Sequence, residues 1–266
     1  MDFNVGDKLG WDHCPDTNAE RYINSCRRFV SSDLEFSTFR QDKDYGKILE
    51  GGEHIVGSLY LDRIKAIHDI HFLKDNLEKF KENDKFGTPT IYSYDVVGDI
   101  CPNTIHYICT VLDIRKKFEN SNFKKIVEIG AGFGALCKIF SSVYDFDEYI
   151  IVDLPDVVRL CEKYLSHFED LNGRVKFVSC DDLDSHNFEN VDLCISEAAL
   201  AECGYETQKK YIEKIVNKSD KVYITYNTLH IGNAQESFDY LITNTDHKNL
   251  FKETNPMNSI IIYKWN

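Results

Sequence analysis

Residues 125–140, Lys-Ile-Val-Glu-Ile-Gly-Ala-Gly-Phe-Gly-Ala-Leu-Cys-Lys-Ile-Phe, constrain this chain more than any other stretch, because they read as strand, glycine turn and helix. Ile126, Val127 and Ile129 form a short β-branched run suited to a buried parallel strand. Gly130, Gly132 and Gly134 then let the backbone turn tightly beside a ligand, and Leu136, Ile139 and Phe140 give the next helix an apolar face. A turn of this kind aims helix-start amides into the crevice at the carboxyl ends of the strands, where open α/β sheets bind ligands.

Glu128, two residues before the first glycine, narrows the ligand. A dinucleotide fold keeps that place apolar, spaces its glycines as G-x-G-x-x-G and seats a pyrophosphate on the helix. Here the glycines follow G-x-G-x-G behind a carboxylate, which repels a pyrophosphate and suits the ammonium of an amino acid. The stretch resembles the first motif of S-adenosylmethionine-dependent methyltransferases. That resemblance implies that Gly130, Ala131, Gly132 and Gly134 wrap the methionine part of the cofactor, with Glu128 near its amino group.

The segments that follow repeat strand and helix. Glu148–Asp153 is a buried strand ending in Asp153, at about the distance beyond the loop where α/β nucleotide sites place a carboxylate on ribose hydroxyls. Leu154 adjoins it, and Pro155 suits the first turn of the next helix. A third strand, Arg174–Cys180, ends in Asp181 and Asp182, either of which can accept from an adenine amine. The fourth, Val191–Ser196, leads into Glu197 and Glu202, and the fifth, Lys221–Asn227, into His230. A helix near Gln235–Thr243 and strands at Asn249–Thr254 and Ser259–Trp265 close the chain. Five strands alternating with helices, plus a closing strand pair, predict an α/β fold with a seven-stranded doubly wound, Rossmann-like sheet.

Residues 1–97 lack a glycine turn after a strand and read as a mainly helical extension, with helices through Tyr22–Val30 and from Ile55 to His71. Two breaks, at 86–90 and 98–102, separate it from a helix begun by Asn103 and Thr104. The start of that helix, Asp99, Asn103 and Thr104, either approaches the methionine end of the cofactor or only caps the helix. The predicted division is 1–97 and 98–266, with the extension covering the acceptor site or forming a dimer interface.

The chain of 266 residues carries 31 basic against 44 acidic side chains, a formal charge of −13, which argues against a nucleic-acid substrate. Arg21, Arg27, Arg28, Arg63 and Lys65 read as solvated helix faces, with contact to one or two phosphates of a nucleotide-sized ligand as the alternative. Nine cysteines at irregular spacing fit reduced thiols better than disulfides or zinc, and His68 with His71 lacks a third ligand, so no metal is expected. With no apolar run near the roughly 18 residues of a membrane helix and no leader pattern, a soluble, cytoplasmic chain is expected.

Val-Glu-Ile-Gly-Ala-Gly-Phe-Gly (127–134), Val-Asp-Leu-Pro (152–155), Ser196 with Glu202, and Tyr-Ile-Thr-Tyr-Asn (223–227) together resemble the sugar O-methyltransferases of bacterial surface polysaccharide synthesis. The resemblance spans roughly 98–265 and implies a class I methyltransferase sheet, S-adenosylmethionine as cofactor and a small-molecule hydroxyl acceptor. Ser196 and Thr104 join the implied cofactor contacts, and Glu202 is the leading general base, with Glu197, His230 and His54 as alternatives. Tyr226 and Asn227 either orient the acceptor or finish the strand. One departure is that Glu197 stands where the family tends to have Asn directly after the serine. A non-sugar capsule precursor such as a nucleotide-linked phosphoramidate, or a non-catalytic cofactor-binding module, is the alternative function.

Overall fold

The computed structural model describes residues 16–50, 52–67, 69–226, 241–245, 250–254 and 260–265. Among the described residues the N-terminal region is a layer of five α-helices: α1 (Asp16–Ser31), α2 (Asp33–Ser37), α3 (Lys43–Leu49), α4 (His54–Ile67) and α5 (Ile70–Lys81). Asp42 starts α3 because its carboxylate accepts from the amides of Asp44 and Tyr45, each at 3.0 Å. Asp69 does the same for α5, taking the His71 amide at 2.9 Å. The single helix expected from Ile55 to His71 is therefore two: His71 sits in the first turn of α5, and an N-cap aspartate intervenes. His68 lies outside the described residues.

The two breaks read in the sequence frame a hairpin, β1 (Tyr92–Tyr94) against β2 (Gly98–Ile100). Helix α6 (Pro102–Lys117) follows, with proline in its first turn and Arg115, Lys116 and Lys117 in its last, where cations meet the negative end of the helix dipole. The remainder alternates: β3 (Lys125–Ile129), α7 (Ala135–Ser141), β4 (Glu148–Asp153), α8 (Pro155–Leu165), β5 (Val175–Ser179), β6 (Val191–Glu197), α9 (Ala199–Glu202), α10 (Tyr205–Lys214), β7 (Ser219–Tyr226), β8 (Leu250–Thr254) and β9 (Ile260–Trp265).

The main sheet runs β5-β4-β3-β6-β7-β9-β8. Five of its strands are parallel, while β9 is antiparallel to both β7 and β8. The parallel part is thus five strands wide and not seven, because the last connections return as an antiparallel pair. Strand order reverses at β3, whose neighbours are β4 and β6, and this opens a crevice beyond the carboxyl ends of β3 and β6. Of the helix expected at 235–243, residues 235–240 lie outside the described residues, as do Asn227 and His230.

Alternation along the strands sorts the core onto two faces. Val127, Ile129, Ile150, Val152, Cys194, Val222 and Ile224 pack with Tyr211, Ile212 and Ile215. Ile126, Tyr149, Ile151, Leu193, Ile195 and Tyr223 join a larger cluster that contains Ile105, Phe133 and Tyr164 together with Tyr22, Phe29, Phe39, Tyr45 and Tyr60 of the N-terminal helices. The helical layer and the sheet share one core on that face. Arg27 on Asp156 at 2.9 Å and Lys163 on Asp33 at 2.7 Å tie α1 and α2 to α8 at the rim.

Candidate active site

The glycine loop forms one wall of the crevice. Gly130, Gly132 and Gly134 have φ of 76°, 61° and 92°, a left-handed backbone that side-chain-bearing residues rarely adopt. Space is as restrictive as torsion: a Cβ on Gly130 would lie 2.0 Å from the Ala199 Cβ, and one on Gly132 would lie 2.9 Å from Leu49 Cδ1. The loop is closed by α9 on one side and by α3 on the other.

Asp153 ends β4 against this loop. Its carboxylate accepts from the Gly132 amide at 3.2 Å and the Leu154 amide at 2.7 Å, which fixes its plane at the strand end. Burial raises its carboxyl to about 6, opposed by those backbone bonds. A carboxylate oriented in this way retains lone pairs for two vicinal hydroxyls. Ala131 is buried in the loop and Leu154 packs against the larger core cluster. At the end of β5, Asp181 and Asp182 are exposed in a single turn, with the Asp181 amide bonded to Ser179 Oγ at 3.1 Å.

Glu128 is 1% exposed and accepts from the Tyr149 hydroxyl at 2.8 Å. Burial is the main cause that lifts its carboxyl to about 8; the Tyr149 bond opposes the rise, and the charges of Asp153 and Glu197 add to it. A cation placed beside it would reverse that balance, as expected for the ammonium end of an amino acid.

Two expected cofactor contacts are engaged within the protein. Ser196 Oγ donates to the Ile129 carbonyl at 3.0 Å and accepts from the Leu200 amide at 3.1 Å, stitching β3, β6 and α9 together. Thr104 is fully buried; it donates to Asp84 at 2.6 Å and accepts from Asn83 at 2.8 Å. Both hydroxyls hold the walls of the crevice in place.

The other wall stands at the ends of β6 and β7. Glu197 accepts from Thr110 at 2.6 Å and from Thr225 at 2.8 Å, and lies 3.3 Å from His106 Nε2. The imidazole is stacked between Tyr60, with centroids 4.4 Å apart, and Tyr107 at 5.3 Å. Ala198 next in the chain has φ of 62°, and its amide is held by Thr225 Oγ1 at 2.9 Å. A left-handed alanine is a strained conformation that its surroundings must maintain, and such positions cluster at functional sites. His106 escaped the sequence reading because its partner is remote in the chain; the only clue was an acid at position 197.

Glu202 lies three residues beyond Ala199 on the short helix that abuts Gly130, so the two share a helix face. It is half-buried, and among the described residues no hydrogen-bond or ion-pair partner reaches it. Burial alone lifts its carboxyl to about 7. His54 stacks on Tyr94, ring centroids 4.7 Å apart, and is exposed on the first turn of α4. Tyr226 belongs to the buried cluster on the opposite face. Among the described residues no group of three or more metal-ligating side chains is placed to hold an ion, and no helix is long and apolar enough to cross a membrane.

Residues 104–218 match the family model described as an O-methyltransferase domain. S-adenosylmethionine is the cofactor this match supports, and the glycine cradle with its oriented Asp153 fits it. No curated protein matches the chain. Among solved structures, PigF with SAH is 12% identical, with 93% of this chain and 70% of that chain covered and a TM-score of 0.47. A SAM-dependent methyltransferase from Aquifex aeolicus is 11% identical, covering 58% of this chain and 88% of that one at a TM-score of 0.46. The pyocyanin biosynthetic protein PhzM is 13% identical, over 62% and 56%, at 0.45.

Proposed function

We propose that this chain is an S-adenosylmethionine-dependent O-methyltransferase acting on a hydroxyl of a sugar or nucleotide-activated precursor of a bacterial surface polysaccharide. The observation that carries the methyl-transfer part is Asp153, held by the Gly132 and Leu154 amides beside the left-handed glycine loop. The acceptor class is supported by the sequence resemblance over 98–265 and by the acids at the end of β6. The bound cofactor supplies an electrophilic methyl group on a sulfonium sulfur.

The chain's part is to align the acceptor oxygen with that methyl and to take its proton as the new bond forms. Glu202 is the proposed base, since a carboxyl at about 7 with no hydrogen-bond partner among the described residues is matched to proton transfer near neutral pH. The oxygens of Glu197 already accept from Thr110 and Thr225 and face His106, which suits it to orienting that ring. His106 is the second candidate for the base, favoured by this carboxylate–imidazole geometry. The helical N-terminal region is proposed as the cover of the crevice.

Incubation with methyl-labelled cofactor and a panel of nucleotide sugars and capsule precursors tests the function. Label is expected in a hydroxyl acceptor of the panel. Transfer only to nitrogen or sulfur acceptors would overturn the O-methyl assignment, and transfer to none of them the acceptor class.

A further inference from the structure

The most isolated polar group in the core is the hydroxyl of Tyr45. The residue has no exposed surface, and its oxygen has no hydrogen-bond partner among the described residues. The ring cannot swing out to find one. It stacks on Tyr22 at 5.6 Å and meets Phe29 and Phe39 edge-on at 5.4 and 5.5 Å. An unmet buried hydroxyl destabilises the fold, so a core that keeps one without structural use invites a ligand as its partner.

The surroundings identify that ligand. Phe39, which meets the Tyr45 ring edge-on, also meets Phe133 of the glycine loop edge-on at 5.2 Å. The Tyr45 ring therefore packs on the glycine-loop side of the helical layer. Leu49, one turn after Tyr45 on α3, is the side chain that a Cβ on Gly132 would strike. Helix α3 therefore lies directly over the loop.

Its position is firmly set. Asn103 at the start of α6 donates to the Leu49 carbonyl. Glu50, the next residue, accepts from Arg40 at 2.6 and 3.3 Å, and the wholly buried Arg40 guanidinium also reaches Asp84 at 3.3 Å and lies over the Phe133 ring at 5.0 Å. These contacts clamp the end of α3 to α6 and to the loop itself.

We propose that α3 completes the cofactor site, with the Tyr45 hydroxyl donating to the carboxylate of the cofactor's methionine end and Leu49 covering the glycine loop beneath it. Glu128, on the strand that leads into that loop, suits the neighbouring ammonium. The N-terminal region is then a part of the donor site as well as a cover for the acceptor. This inference rests on the proposed methyl-transfer reading.

Calorimetric binding of two nucleosides tests it without any turnover. S-adenosylhomocysteine keeps the amino-acid end, whereas 5′-methylthioadenosine lacks it. Tyr45→Phe is expected to weaken S-adenosylhomocysteine by about tenfold and to leave 5′-methylthioadenosine unchanged. The variant's Tm should equal or exceed that of the unliganded wild type, since the change removes an unsatisfied hydroxyl. Equal weakening of both ligands, or of neither, would overturn the assignment of Tyr45. A wild-type chain that binds neither nucleoside would instead overturn the methyl-transfer reading beneath it.

Discussion

The two walls of the crevice are made of different material. The donor wall is mostly backbone: three left-handed glycines, and the amides of Gly132 and Leu154 gripping one carboxylate. The wall proposed for the acceptor, called the acceptor wall below, is mostly side chain: a carboxylate held by threonines 87 and 28 residues away in sequence, with an imidazole between two tyrosines. A backbone cradle fits whatever part of a ligand never varies, because its geometry depends on local torsions. A side-chain network can be rebuilt one residue at a time, which is how a fixed donor chemistry can be coupled to a changing acceptor.

If that division holds, a change on the donor wall should act on binding and one on the acceptor wall on turnover. The largest effect is expected at Asp153. Asp153→Ala removes the proposed acceptor for two ribose hydroxyls and should weaken S-adenosylmethionine by about a hundredfold or more in calorimetry. Wild-type affinity in this variant would break the ribose assignment and with it the contrast between the walls.

Glu202→Gln should do the reverse, lowering kcat by about a hundredfold while cofactor affinity stays within a factor of about two. The wild-type rate should rise with pH through about 7 as Glu202 loses its proton, and this limb should vanish in the variant. Retained turnover in Glu202→Gln, with loss in His106→Ala that added imidazole restores, would transfer the base role to the pair of His106 and Glu197. A loss of cofactor affinity in Glu202→Gln would show that the walls are not separate.

Legibility in the sequence followed the same division. The glycine spacing, Glu128 and Asp153 were readable because backbone torsion and strand ends leave local marks, and the alternation of strands and helices followed from apolar periodicity. His106 and Thr110 were not readable, since they meet Glu197 only after α6 packs across the sheet ends. Tyr45 looked like any aromatic on a helix. Ser196 and Thr104 read in the sequence as cofactor contacts, whereas their use in stitching β6 to β3 and α6 to Asp84 depends on neighbours that no spacing reveals. The Ile55–His71 run was misread as one helix because apolar periodicity continued through the Asp69 cap.

The smallest expected effect concerns what the donor wall costs when no ligand is bound. Burial lifts Glu128 to about 8, so above the ordinary carboxylate range the folded chain holds a proton that the unfolded chain has released. The unfolded state then binds fewer protons than the folded one. Stability is full below the unfolded carboxylate range and falls as pH rises toward about 8, where the folded group also ionises. Asp153, raised to about 6, and Glu202, raised to about 7, act in the same direction over narrower windows. Thermal melts of the unliganded protein should therefore lose stability between pH 5 and 8, with on the order of 2 kcal/mol, or about 5 °C, from Glu128. Glu128→Gln keeps an acceptor for Tyr149 and has no charge to expel, so it should flatten most of that slope. A Glu128→Gln protein that tracks the wild-type pH dependence would show that the donor wall carries no such electrostatic cost.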